Sequence, residues 1–302
     1  MFQGAMVALV TPFLMDGSID WDSLDTLVDF HLAQKTDALV VLGSTGEAAT
    51  ITAEEQTKIV TKVVKRVANR IPVIMGTGTN ATASTMQATQ QAMSLGVDAC
   101  LVVTPYYNRP TQEGLYQHFK AVANAAPLPI ILYNVPKRTG CDLLPETVAR
   151  LAECSNIVGI KEAAGDIVRY NQLVQVCLDK ELDVYGGDDA TCLDLLRLGG
   201  QGVISVTGNI APRLMAELCA AVRERDNLTV TEIDAQLQPF HQAQGCEANP
   251  IPVKWALYKM GLIRSPYMRL PLTPLSSEYQ LDVATVLLQM GLIENTQEKE
   301  LK

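Results

Sequence analysis

The sequence predicts an α/β chain built as a (β/α)8 TIM barrel over residues 1–224, followed by a small C-terminal helical domain over residues 225–302. Three observations predict this. Eight short apolar runs recur along the first three quarters of the chain, segments with helical periodicity lie between them, and polar segments able to do chemistry follow the runs directly. In such barrels the active site lies at the C-terminal ends of the strands, so the last feature matters most for function.

The runs are Ala5–Leu9, Ala38–Leu42, Val73–Met75, Ala99–Val103, Ile130–Tyr133, Ile157–Lys161, Leu182–Tyr185 and Gly202–Val206. They are rich in Val and Ile and do not alternate with polar residues, as parallel strands buried on both faces require. Between them, Asp20–Gln34 turns Leu24, Leu27, Val28 and Leu32 inward. Thr52-Ala53-Glu54-Glu55 is a capping box, and after it Ile59, Val60, Val63, Val64 and Val67 share one face with Lys58, Lys62, Lys65 and Arg66 opposite. Ser84–Leu95 stops at Gly96. Pro145 and Pro212 each open a helix at its first turn. Beyond residue 224, Leu228–Gln244, Pro252–Met260 and Glu278–Met290 read as helices punctuated by prolines. A doubly wound sheet is the structural alternative. It would place a Gly-rich nucleotide turn after the first strand, and Thr11-Pro12-Phe13 is not one.

Composition narrows the function. With 302 residues the chain can bury a large core. A net charge of −9, with no basic run, argues against a nucleic-acid surface. No apolar stretch is long enough for a membrane span, and the first residues lack the regions of a signal peptide. Seven scattered cysteines without a CxxC pair read as reduced core thiols, Cys141 among them, and three distant histidines make no metal-ligand pattern. A cytoplasmic location is expected.

The chemistry collects after the runs. Lys161 ends the sixth. An amine there is partly desolvated, which disfavours the ammonium, and a neutral lysine can attack a ketone to form an imine. Taken alone, the run Ile157–Lys161 better fits a lysine that marks a strand end and points to water, and the rest of the chain reverses that balance. Tyr133 ends the neighbouring fifth run, where a phenol could shuttle protons beside the amine. Gly43-Ser44-Thr45-Gly46-Glu47 offers hydroxyl and backbone donors to an anion. Arg138 could clamp a carboxylate, or be a solvated loop charge. Tyr106 and Tyr107 sit in a stiff loop, and one of them reads as packing or an oligomer contact. Gly76-Thr77-Gly78 reads as a structural turn. Together these residues suit a metal-independent, imine-forming aldolase acting on an anionic keto acid.

The same segments carry a resemblance. Gly43–Glu47, Tyr133-Asn134-Val135-Pro136 and Gly159-Ile160-Lys161-Glu162 resemble the class I pyruvate-dependent aldolases, the family that includes N-acetylneuraminate lyase and dihydrodipicolinate synthase. Tyr106–Pro110, Lys137–Gly140, Gly187-Asp188-Asp189 and Asn249–Lys254 fit the dihydrodipicolinate synthase branch. The resemblance implies a Schiff base between Lys161 and pyruvate and condensation with aspartate semialdehyde, on the route to lysine and meso-diaminopimelate. Tyr133 would be the proton donor and acceptor, completed by Ser44 and by Tyr107 from a neighbouring subunit. Thr45 and the backbone at Ile204 would hold the pyruvate carboxylate, and Arg138 that of the semialdehyde. No metal or nucleotide cofactor is implied, and the assembly would be a homotetramer made as a dimer of dimers.

Two departures stand out. The relay hydroxyl in this branch is more often threonine than Ser44. Lysine-sensitive relatives usually carry histidine at the positions of Ala53 and Gln56 and an acid at the position of Ser84. Ala49, Asn80 and Tyr106 fit a lysine site, but Ser84 cannot balance an ammonium, so weak or absent lysine inhibition is expected. The alternatives are a sister aldolase acting on a sialic or sugar keto acid, and a catalytically silent barrel that binds a keto acid or a partner protein.

Overall fold

The computed structural model describes residues 1–294. Eight strands close into a barrel in chain order, each parallel to both neighbours: β1 (Gly4–Ala8), β2 (Ala38–Val41), β3 (Val73–Gly76), β4 (Ala99–Val103), β5 (Ile130–Asn134), β6 (Ile157–Glu162), β7 (Asp183–Gly186) and β8 (Gly202–Ser205). All eight apolar runs are strands, displaced by a residue or so at their ends. The helices that cover them are α1 (Trp21–Ala33), α2 (Ala53–Val67), α3 (Thr82–Ser94), α4 (Gln112–Ala125), α5 (Pro136–Thr139), α6 (Pro145–Leu151), α7 (Ile167–Leu178), α8 (Cys192–Arg197) and α9 (Pro212–Glu224). Single 3-10 turns at Ala48–Thr50, Asp189–Thr191 and Thr207–Asn209 follow β2, β7 and β8.

The local signals act as read. Thr52 accepts from the Glu55 N–H while the Glu55 side chain accepts from the Thr52 N–H, which completes the capping box of α2. Gly96 takes φ +76 just past α3, a left-handed stop that side chains with a Cβ resist. The sequence reading leaves α4, α5, α7 and α8 unassigned, and reads α5 as a loop. Helix α8 has only 6 residues, too few to show a period, and α7 exposes Ile167, Val168 and Leu178, which blurs its apolar face.

Two apolar layers result from the alternation of each strand. Met6, Ala8, Val40, Ile74, Leu101, Ile131 and Ile204 fill the barrel interior, with Tyr133 and Tyr185 in the same cluster. The outward residues Leu39, Val41, Val102, Leu132 and Ile160 pack under the helices. Tyr185 stands opposite Lys161 in the sheet, and its side chain reaches back so that its hydroxyl lies 2.7 Å from Asp183 Oδ2 and 3.0 Å from the Phe2 carbonyl, sharing one proton between them. The interior is a packed core, so any pocket must lie at the C-terminal end of the strands.

After α9 the chain forms α10 (Asn227–Ala243), α11 (Ile251–Lys259) and α12 (Ser277–Gln289). Helix α9 lies against β1 and β8, and α10 packs on α9 and α12 and on the 3-10 turns after β7 and β8. The expected second domain runs to residue 302, and its residues 295–302 lie outside the described residues.

The Gly76-Thr77-Gly78 turn is built by contact. A Cβ on Gly76 would stand 2.1 Å from the Leu42 carbonyl oxygen, and one on Gly78 would stand 2.4 Å from the Val103 nitrogen. Gly76→Ala is therefore expected to destabilise the protein by about 1–3 kcal/mol, read as a lowered thermal midpoint. An unchanged midpoint would show that β2 and β3 can move apart at no cost.

Candidate active site

The fifth and sixth strands are held in register by pairs on both sides of the sheet. Tyr133 stands opposite Lys161 and Asn134 opposite Glu162. On the outer side, the Asn134 amide donates to Glu162 Oε2 at 3.0 Å and to Asp142 Oδ1 at 2.8 Å, and Asn134 Oδ1 accepts from the Leu143 N–H at 3.0 Å. Glu162 also accepts from the Ala164 N–H at 2.8 Å. A slip of one residue would exchange this polar lock with the inward pair. Tyr133 and Lys161 are thereby fixed side by side, with the amine 4.4 Å from the centre of the phenol ring.

Burial sets the acid–base character of both groups. Lys161 is 4% exposed. Its pKa is lowered to about 8, first by burial, with Arg138 pushing the same way and Asp189 opposing. The Tyr133 phenol is raised above its ordinary value by burial, while the Arg138 charge and a hydrogen bond with Ser44 work against that. Gly187 leaves the room that Lys161 occupies, since a Cβ there would meet the lysine Cε at 2.8 Å.

These groups line one cavity of about 270 Å3 at the C-terminal end of the barrel. Ser44 and Thr45 come from the turn after β2, Arg138 from α5, Asp188 and Asp189 from the loop after β7, and Asn249 from the segment before α11. Asn249 links the walls. Its amide donates to Thr45 Oγ1 at 3.0 Å, and its carbonyl accepts from the Arg138 guanidinium at 2.9 Å. Among the described residues no group of three or more His, Cys, Asp or Glu could hold a metal ion.

The other predicted residues spread out. Tyr107 is 89% exposed and lies outside the cavity, on a backbone with φ +74. Ile204 is fully buried in the barrel interior, and it is Val206, two residues on, that reaches the cavity wall. Tyr106 and Ala49 line a second cavity of about 470 Å3 that shares Ser44, Tyr133 and Arg138 with the first. Asn80 is linked to the Tyr107 loop, its carbonyl accepting from Asn108 at 2.8 Å, and Ser84 is exposed on α3. Neither Asn80 nor Ser84 lines that second cavity. Cys141 is buried, and its thiol donates to the Pro105 carbonyl at 3.1 Å.

Sequence reasoning missed the individual roles of three lining residues. Asp189 Oδ2 accepts from the N–H groups of Val206 and Thr207 at 2.9 and 2.8 Å, which ties the turn after β8 to the end of β7. Its Oδ1 is buried with no protein partner. Asn249 stands far from the barrel segments in sequence, and His241 on α10 presents two unpartnered ring nitrogens to the cavity wall. The Gly187-Asp188-Asp189 and Asn249–Lys254 motifs are the signals for the first two, and nothing local marks His241.

Comparison with known proteins agrees with this geometry. The model of the dihydrodipicolinate synthetase family matches residues 1–290. The 4-hydroxy-tetrahydrodipicolinate synthase of Pseudomonas aeruginosa is 53% identical over 293 residues, covering 97% of this chain and all of the relative. That of Coxiella burnetii is 54% identical over 293 residues, 97% of this chain and 99% of the relative. Among solved structures, a chloride-inhibited dihydrodipicolinate synthase from Acinetobacter baumannii complexed with pyruvate superposes with a TM-score of 0.95 at 49% identity, over 97% of this chain and 100% of that one. The enzyme from Cyanidioschyzon merolae with lysine bound gives 0.92 at 36% identity, over 97% and 99%. On this evidence the chain belongs to the dihydrodipicolinate synthetase family.

Proposed function

We propose that this chain is a lyase of the class I aldolase type that condenses pyruvate with L-aspartate 4-semialdehyde to give 4-hydroxy-tetrahydrodipicolinate, in lysine and diaminopimelate biosynthesis. The observation that carries the reading is a lysine with a lowered pKa held against a tyrosine at the barrel's catalytic end. In the neutral form, Lys161 attacks the pyruvate carbonyl, and loss of water gives the imine. The imine withdraws electrons from the adjacent methyl, which loses a proton to become an enamine. The enamine carbon attacks the aldehyde, forming the carbon–carbon bond while the aldehyde oxygen takes up a proton. The amino group of the semialdehyde then displaces the Lys161 amine from the imine carbon and closes the ring.

Tyr133 moves the protons in this scheme, and its hydrogen bond with Ser44 supports that role. Thr45 and the β8 backbone near Ile204 hold the pyruvate carboxylate, and Arg138 receives that of the semialdehyde. Tyr107 belongs to the site of a neighbouring subunit, in a homotetramer built as a dimer of dimers. An aromatic side chain left almost wholly in solvent on a left-handed backbone supports that reading. No cofactor is required beyond the covalent imine, and the enzyme works in the cytoplasm. Among the described residues no helix is long and apolar enough to cross a membrane.

The purified protein should turn over pyruvate with aspartate semialdehyde, and borohydride should trap pyruvate on it. Lys161→Ala should abolish trapping while keeping the fold. Trapping without turnover would move the assignment to a sister aldolase with another aldehyde, and absence of both would leave a silent barrel.

Asp189→Asn tests the electrostatics. The amide oxygen still accepts from the Val206 and Thr207 N–H groups, but the charge that raises the Lys161 pKa is gone. The pKa then falls further below about 8, so the acidic limb of the trapping rate should move to lower pH, by about one unit. A limb that stays in place would remove Asp189 from this role.

Lysine should slow turnover little, with no half-maximal inhibition at micromolar concentration. Ser84 supplies no charge, and Glu47, the one carboxylate among the described residues that lines the second cavity, is engaged by Lys254.

A further inference from the structure

The GSTGE turn carries the two hydroxyls that the proposed reaction uses, yet Ser44 itself is exposed and the turn lies on the rim of two cavities. What fixes it is Glu47, three residues after Ser44. Glu47 adopts a left-handed backbone, φ 54 and ψ 35, a conformation that a residue with a long side chain holds only when its surroundings enforce it. The Glu47 N–H donates to the Ser44 carbonyl at 3.1 Å, and the Gly46 and Ala48 N–H groups donate to Gly43. The shape of the turn therefore follows the conformation of Glu47.

The enforcing groups come from the far end of the chain. Lys254, on α11, places its ammonium 2.5 Å from Glu47 Oε1, and both side chains are wholly buried. The Arg269 N–H donates to Glu47 Oε2 at 3.2 Å, and its guanidinium reaches the Thr50 carbonyl at 2.9 Å and Glu55, the capping residue of α2. Both cations stand over the Phe13 ring, Lys254 at 4.1 Å and Arg269 at 4.4 Å. From beneath, Thr11 Oγ1 donates to the Gly46 carbonyl at 2.8 Å. The turn is thus held at residues 46, 47 and 50, while Ser44 and Thr45 face the cavity.

A buried ion pair is a poor source of net stability, because desolvating two charges cancels much of their attraction. Apolar residues of equal volume would fill the same space. We propose that the Glu47–Lys254 pair is a positioning device: it holds Ser44 and Thr45 in place for proton transfer and for binding the keto-acid carboxylate. The proposal rests on the condensation reading above. Neither residue lines the cavity that holds Lys161, and Lys161 is carried by a different element, β6.

The test uses the double variant Glu47→Gln, Lys254→Met, which leaves no buried charge unpaired. Three quantities are measured beside the melting temperature: borohydride trapping at saturating pyruvate, the KM for pyruvate, and deuterium uptake into the pyruvate methyl group in D2O, which reports imine deprotonation. We expect a folded protein that traps pyruvate within about twofold of the wild type, with KM raised and deuterium uptake slowed by about tenfold each, the scale of a small misplacement of reacting groups. Unchanged KM and uptake would overturn the proposal, as would losses that merely track the folded fraction. If the double variant does not fold, Glu47→Gln alone keeps the shape of the side chain and decides by the same criteria. Loss of fold in both would show a purely structural pair. A wild type that neither traps nor exchanges would overturn the condensation reading itself, whereas a wild type that does both and variants that match it would overturn only the clamp.

Discussion

The constraint on which this molecule turns is the burial of one amine. Lys161 is enclosed at the end of a barrel whose interior below it is a packed apolar core. With its pKa lowered to about 8, the amine is neutral in about a quarter of molecules at pH 7.5, against about one in a thousand for an unperturbed lysine. The barrel obtains this without strain at Lys161, because a strand end is where a side chain passes from the packed interior into the cavity. Gly187 clears the volume and Asp189 limits how far the pKa falls.

Accuracy of placement comes from elements that make no contact with the chemistry. Asn134 and Glu162 alternate with Tyr133 and Lys161 along their strands, so the outward hydrogen bonds fix the inward pair. The barrel alone does not complete the site. Asn249 joins Thr45 to Arg138 across the cavity, and α10 contributes His241 and Gln244 to its wall, with the Gln244 amide donating to Thr207 Oγ1 at 2.6 Å. The helices after residue 225 therefore act as the far wall of the pocket as well as a cover for the barrel. Sequence distance hides this: the contact between Asn249 and Thr45 spans 204 positions.

How much could be read from the sequence follows from the range of each interaction. The strands were legible because burial on both faces writes an unbroken apolar run, and Lys161 and Tyr133 because each ends such a run. The capping box of α2 was legible because it closes within four residues. Asp189 was not, since its partners lie 17 and 18 residues away, and neither was Glu47, whose carboxylate is bound by Lys254 from 207 residues away. The resemblance implies a backbone contact at Ile204, whose side chain lies in the interior core while Val206 lines the cavity. Tyr107 is left in solvent in the single chain, so the chain by itself assigns it no contact at the site.

The same burial assigns a direction to the first proton movements. Desolvation raises the phenol and lowers the amine, so when Lys161 gives up its proton the uncharged pair, a protonated Tyr133 beside a neutral Lys161, is favoured over the charge-separated one. The reverse pair, ammonium beside phenolate, would bury two charges. Tyr133 thus begins as an acid. It can donate as the carbinolamine loses water, and only the resulting phenolate is basic enough to accept a proton in return. A phenolate in a dry cavity is costly unless its charge is met, and two groups meet it: the Arg138 charge and the Ser44 hydroxyl both lower the Tyr133 pKa. Ser44 is exposed, so the hydrogen bond that steadies the phenolate also connects it towards solvent. Serine serves that connection as well as threonine would in charge and reach, and what it lacks is the methyl that restricts the rotamer.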